Sequence, residues 1–289
     1  MPSVRVLSAL VSCLVLALGV VGTPAQDDPD GWKRATEPVR IAGPIHYVGT
    51  HGLASYLIAT PAGHILIDGG VPGHEGLILQ SIVKQGFKVR DVKVLLTTQA
   101  HFDHVGSLAA LKQATGARVL VLRGDEGLLS SGGKTDYLFG PNPAFHFPPV
   151  TPDEVIGDGH VLTLGGVMLT ARRTPGHTPG STTWTTTVME EGRSLRVVFA
   201  ASTYVNEGTR LVRNPSYPGI EADFRRSFAL LEALPVDVFL GAHAQGFDFH
   251  AKRARAATEG VKPWVDRDAL KRVVTGSKAT FEKLVAAER

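Results

Sequence analysis

Cysteine is almost missing from this chain: Cys13 is the only one in 289 residues, and it lies in an N-terminal run whose layout marks it for removal. Without Cys13, a mature protein has no disulfide, no thiolate metal ligand and no cysteine nucleophile. Charge of one sign is scarce too. The formal net charge is +3, and no run of consecutive lysines or arginines tracks a phosphate backbone, so nucleic acid is not an expected partner. G-x-S-x-G and P-loop motifs are absent. Any metal must therefore be held by His, Asp, Glu or amide groups. The hydrophobic share of 43% is that of an ordinary globular protein of enzyme size.

The first residues have the layout of a secretory signal peptide. Arg5 is the only charged residue before a predominantly apolar stretch from Val6 to Val21, and Gly22-Thr23-Pro24-Ala25 supplies small residues for cleavage. A membrane-spanning helix needs about 20 apolar residues, more than this run offers. Lipid attachment at Cys13 is disfavoured because the apolar stretch continues past it. The expected organisation is a signal peptide over 1–25 and one domain over 26–289, exported and monomeric.

Along the mature chain, apolar alternation in Ile41–Val48 and Ala54–Ala59 reads as strands, followed by His64–Ile67 running into Asp68-Gly69-Gly70. Helical spacing follows around Leu77–Gln85, then a buried strand at Val92–Thr98, a helix over Val105–Thr115, a strand at Arg118–Leu122 and a helix near Glu126–Leu129. Gly132–Pro149, rich in glycine, proline and aromatics, reads as a long functional loop. Strands recur at His160–Leu164, Val167–Arg173, Ser181–Val188, Leu195–Ala200 and Val236–Leu240, with helices at Glu221–Leu234 and around Leu270–Val285. The second half broadly repeats the first. Two sheet-plus-helix halves sharing one core would form an α/β four-layer sandwich.

Metal-capable groups cluster where strands end. Gln99-Ala100-His101-Phe102-Asp103-His104 lies between the Val92–Thr98 strand and the following helix, placing His101, Asp103 and His104 on one turn. An irregular turn lets them serve two adjacent ions. His177 sits in Thr174-Pro175-Gly176-His177-Thr178-Pro179-Gly180 between two strands, and His243 directly follows the Val236–Leu240 strand. The remaining histidines (His46, His51, His64, His74, His146, His160 and His250) read as structural or solvated. Asp68 admits two readings, support for a ligand or a turn former before Gly69-Gly70.

His-x-His-x-Asp-His with Gln99 in its first place, the later Pro175-Gly176-His177-Thr178-Pro179-Gly180-Ser181 and the last histidine resemble the signature of the metallo-β-lactamase superfamily over nearly the whole mature chain. Leu66-Ile67-Asp68-Gly69-Gly70, Asn214-Pro215-Ser216-Tyr217-Pro218 and Asp223-Phe224-Arg225-Arg226-Ser227-Phe228 resemble subclass B3. The resemblance implies the αβ/βα sandwich of that family and two zinc sites. Gln99, His101 and His177 would hold the first; Asp103, His104 and His243 would hold the second. It departs at Gln99, where the family usually has histidine. An amide oxygen is the poorer zinc donor, so the first site should fill incompletely when zinc is scarce. Ser202 in Ala200-Ala201-Ser202-Thr203-Tyr204 resembles the B3 serine that stands where thioesterases and lactonases carry a bridging aspartate.

The implied activity is opening of the β-lactam ring of penicillins, cephalosporins and carbapenems by a zinc-activated hydroxide that Asp103 orients, conferring antibiotic resistance in the periplasm. Ser202, Tyr204, Tyr137 and Phe139 are candidate substrate contacts. The alternatives are a zinc hydrolase of another small ester, lactone or thioester, and a non-catalytic metal or ligand binder that Gln99 keeps in play. S-x-x-K, the nucleophile motif of serine β-lactamases, occurs at Ser81–Lys84 and Ser131–Lys134 without S-D-N or K-T-G. Both are chance matches, on an amphipathic helix and in a glycine loop.

Overall fold

The sequence opens with strands whose apolar residues point alternately to two cores. In the computed structural model, which describes residues 29–289, β1 (Val39–Ala42), β2 (Ile45–Tyr47), β3 (Tyr56–Thr60), β4 (Gly63–Ile67), β5 (Val92–Leu96), β6 (Arg118–Leu122) and β7 (Glu154–Ile156) form a seven-stranded sheet in that order. The signal-peptide expectation falls outside the described residues. Pairing is antiparallel from β1 to β4 and parallel from β4 to β7. On β4, β5 and β6, Ile65, Ile67, Leu96, Leu120 and Leu122 enter one core, while Leu66, Leu95, Val119 and Val121 enter the other. A sheet buried on both faces needs such uninterrupted apolar strands.

The second core is closed by helices. A short α1 (Pro29–Trp32) precedes the sheet, and α2 (Glu75–Lys84) packs its buried Ile78 and Ile82 with Leu108 and Leu111 of α4 (Leu108–Thr115) and Leu129 of α5 (Glu126–Ser131). The expected single helix over Val105–Thr115 is in fact α3 (Phe102–Val105) and α4. The break comes at Gly106-Ser107, where a Cβ on Gly106 would sit 2.3 Å from the Pro72 ring and the Ser107 hydroxyl donates to the Val71 carbonyl at 2.6 Å. Similarly, the expected strand over Ile41–Val48 breaks into β1 and β2 at Gly43-Pro44, because Gly43 takes the left-handed φ of +51°.

The five-stranded second sheet runs β12-β11-β10-β9-β8, built from β8 (Val161–Leu164), β9 (Val167–Arg173), β10 (Thr182–Glu190), β11 (Arg193–Ala200) and β12 (Val238–Gly241). It faces the first across a core that contains Trp184, Val197, Phe199 and Leu240. Phe224 and Phe228 of α6 (Ile220–Ala233) and Phe281 of α8 (Ala269–Ala287) pack ring against ring within the same apolar cluster. This gives the α/β sandwich of helices and two sheets. The halves are not equal repeats: each sheet has three antiparallel pairings, but the first has three parallel pairings and the second only one, and α7 (Phe249–Glu259) follows β12. α7 escapes periodicity because only Phe249 and Lys252 of its residues are buried.

Candidate metal centre

The two sheets are stitched together at one edge, and the metal-capable residues lie along that seam. Thr182 donates its N–H to Thr98 O at 2.7 Å, and Trp184 Nε1 donates to Thr97 O at 3.0 Å. Ala54 N–H donates to Ala242 O, and Ala244 N–H to Gly52 O, so His243 is clamped between a loop of the first sheet and the end of β12. Gln99, His101, Asp103, His104, His177 and His243 are all buried.

Two donor clusters result. Asp103 Oδ2 lies 3.1 Å from His104 Nε2 and 3.3 Å from His243 Nε2, and the two imidazole nitrogens are 3.2 Å apart. Alongside it, His101 Nδ1 stands 3.1 Å from His177 Nε2. His177 Nδ1 donates to Tyr204 O at 2.9 Å, so its Nε2 carries the lone pair that faces His101. Burial opposes ionisation of Asp103, yet His104 and His243 outweigh it and hold the carboxyl well below its usual range. Burial pulls His104 down, but Asp103 and Asp68 prevail and raise it to about 10. His177, buried beside His101, is pushed down to about 3. A buried carboxylate and two imidazoles converging within 4.8 Å suit a divalent cation.

Gln99 is placed differently. Its Nε2 donates to Ser202 Oγ at 3.1 Å and its Oε1 accepts Ser202 N–H at 2.7 Å, so both ends of the amide engage the residues that follow β11. Asp68, directly after β4, has a left-handed φ of +62°; its carboxylate accepts Thr98 N–H at 2.7 Å and the Thr98 hydroxyl at 2.6 Å. The same carboxylate stands 3.4 Å from His104 Nδ1. Tyr204 is 41% exposed, with its phenol 3.4 Å from His243 Nε2. Tyr137 reaches the His177 carbonyl at 3.4 Å, and the Phe139 ring meets His101 edge-on at 5.1 Å.

Several contributors escaped the sequence. Asp125, fully buried just after β6, accepts Ala100 N–H at 2.8 Å, the Thr178 hydroxyl at 2.7 Å and Gly180 N–H at 2.7 Å, joining the loops of His101 and His177. Gly180 is required for this approach, since a Cβ there would lie 2.4 Å from Asp125 N. Asp136, buried in the long loop, faces His101 Nε2 at 3.3 Å. Trp32, Phe102, Phe145 and Phe139 form an aromatic chain at the site, with Trp32 5.8 Å from the His243 ring. A lone aspartate or an N-terminal tryptophan carries no spacing signal.

Residues 49–243 match the family model of the metallo-β-lactamase superfamily. The chain belongs to that superfamily. Among solved structures it is similar to the native FEZ-1 metallo-β-lactamase from Legionella gormanii, with 39% identity, 89% of this chain and 98% of that chain covered, and a TM-score of 0.87. It is also similar to BJP-1, a subclass B3 metallo-β-lactamase of Bradyrhizobium japonicum, with 38% identity, 89% and 97% covered, and a TM-score of 0.84. A hydroxyacylglutathione hydrolase of Rhodopseudomonas palustris is 30% identical over 163 residues, 56% of this chain and 51% of that protein. The chain spans about half the length of the curated relatives it matches. It is thus a metallo-β-lactamase-type hydrolase whose solved neighbours include a subclass B3 enzyme. Among the described residues, no helix is long and apolar enough to cross a membrane.

Proposed function

We propose that this metallo-β-lactamase family member hydrolyses the β-lactam ring of antibiotics with zinc as its metal, as a single exported domain over 26–289 acting in the periplasm and conferring resistance. The observation that carries the reading is the Asp103, His104 and His243 cluster beside the His101–His177 pair, in a chain 39% identical to a β-lactamase over most of its length. In this reading Asp103, His104 and His243 hold one zinc, and His101 and His177 beside Gln99 hold the other. Zinc bound there supplies Lewis acidity and brings the pKa of a bound water toward neutrality.

The chain's own groups do the positioning. Asp103 accepts a hydrogen bond from the attacking water and so aims its oxygen at the lactam carbonyl. Tyr204, exposed next to His243, and Ser202 contact the drug's polar groups, and the ring of Phe139 with its aromatic neighbours contacts the apolar side chain. Ser202 supports this reading over a thioesterase or lactonase, since it stands in the sequence where those enzymes would carry a bridging aspartate.

A second reading, hydrolysis of a thioester or lactone, draws on the similarity to hydroxyacylglutathione hydrolases. A substrate panel separates them. Turnover of penicillins, cephalosporins or carbapenems well above that of lactones and glutathione thioesters supports the first, and the reverse order replaces it with the second.

A further inference from the structure

We infer that Asp136 is a positioning residue that fixes the proton of His101 on Nε2, leaving Nδ1 as a lone-pair donor toward His177. The inference deepens the zinc reading, because it concerns a histidine assigned there to the metal. Asp136 lies in the 132–149 loop and is 6% exposed. Its Oδ1 accepts the N–H groups of Leu138 at 2.8 Å and Phe139 at 2.7 Å. These two bonds lock the carboxylate's orientation and leave Oδ2 facing His101 Nε2 at 3.3 Å.

A carboxylate only accepts, so Nε2 must carry the hydrogen. In the neutral imidazole the lone pair then sits on Nδ1, 3.1 Å from His177 Nε2, whose own lone pair is set by the Nδ1–H bond to Tyr204 O. Two lone pairs at that distance repel unless a cation lies between them. The aspartate thereby ties the aromatic loop that carries Phe139 to the metal-facing atom of His101. Histidine ligands generally have their other nitrogen fixed in this way, at a cost of roughly 10–100-fold in metal affinity when the partner is lost.

The locked orientation makes an unusual demand on the isosteric variant. In Asp136→Asn the two backbone N–H groups hold the amide oxygen, so its NH₂ must face His101 Nε2. The imidazole then accepts at Nε2 and moves its proton to Nδ1, the atom needed for the metal. Asp136→Ala leaves His101 free to choose. Asparagine should therefore harm the site more than alanine, opposite to the order expected from packing alone.

The test uses the full metal-free chain labelled with ¹⁵N histidine, whose long-range imidazole correlations report each tautomer. At about pH 8, parent His101 should show the neutral Nε2–H form and Asp136→Asn the Nδ1–H form. Zinc affinity at the weaker site should fall roughly 10–100-fold in Asp136→Asn, and less in Asp136→Ala. A proton on Nδ1 in the parent overturns the inference without any variant. So does an unchanged His101 tautomer in Asp136→Asn, or a larger zinc loss in Asp136→Ala. The tautomer is read without metal or substrate, so the inference and the hydrolase reading fail separately.

Discussion

Asp125→Ala would strip a buried acceptor from two loops at once. The carboxylate takes hydrogen bonds from Ala100 N–H, Thr178 Oγ and Gly180 N–H, all at 2.7–2.8 Å. Alanine leaves both amides buried without an acceptor, at about 1–3 kcal/mol each, while the Thr178 hydroxyl keeps Ser181 Oγ at 2.8 Å as a partner. Part of that loss is offset, because burial of the carboxyl is itself unfavourable and pushes it up to about 6. The net cost is then about 2–4 kcal/mol, equivalent to a melting temperature lower by roughly 4–16 °C for a domain of this size. Asparagine should do little better, since its NH₂ must face one of the donors. Calorimetric melting of the parent, Asp125→Ala, Thr178→Val and the double variant measures the effect, and the coupling between the pair should reach about 0.5–3 kcal/mol. Melting of Asp125→Ala within about 2 °C of the parent would refute the argument.

Two predictions concern metal uptake. In Gln99→His the amide pair with Ser202 is lost and an imidazole takes the position, so zinc at the His101–His177 site should bind about tenfold tighter or more while the metal-free chain melts lower. Zinc content after dialysis checks this, and a parent that already keeps two zinc ions contradicts it. Because His104 is held protonated up to about 10, zinc at Asp103, His104 and His243 must displace that proton. Its apparent affinity should rise about tenfold per pH unit from neutrality toward that value; a flat profile in chelator competition contradicts it. In the metal-free chain the same raised value contributes stability that is complete below the unfolded histidine pKa of about 6.5 and lost as pH rises through about 10.

Periodicity was enough to find Arg118–Leu122 and Val167–Arg173, where every second residue answers to a core. It failed at Gly106-Ser107, because the helix break depends on Pro72 packing from another segment. It also missed β7, whose three residues are placed by pairing with β6, and α7, whose face is mostly polar. The histidines and Asp103 were legible because several metal-capable types share one turn. Asp125 and Asp136 were not, since the site partner that each holds is at least 25 residues away and each looks like a turn former in isolation. The Gln99–Ser202 pairing spans 103 residues and is visible only in the folded chain.

We propose that these paired clusters make a zinc-dependent β-lactam hydrolase. The most direct test is turnover of a chromogenic cephalosporin and a carbapenem by the purified protein with zinc, then with a chelator, then with zinc restored. Hydrolysis that the chelator abolishes and zinc recovers is the predicted result. No turnover of either drug in saturating zinc, or turnover indifferent to the chelator, would contradict it.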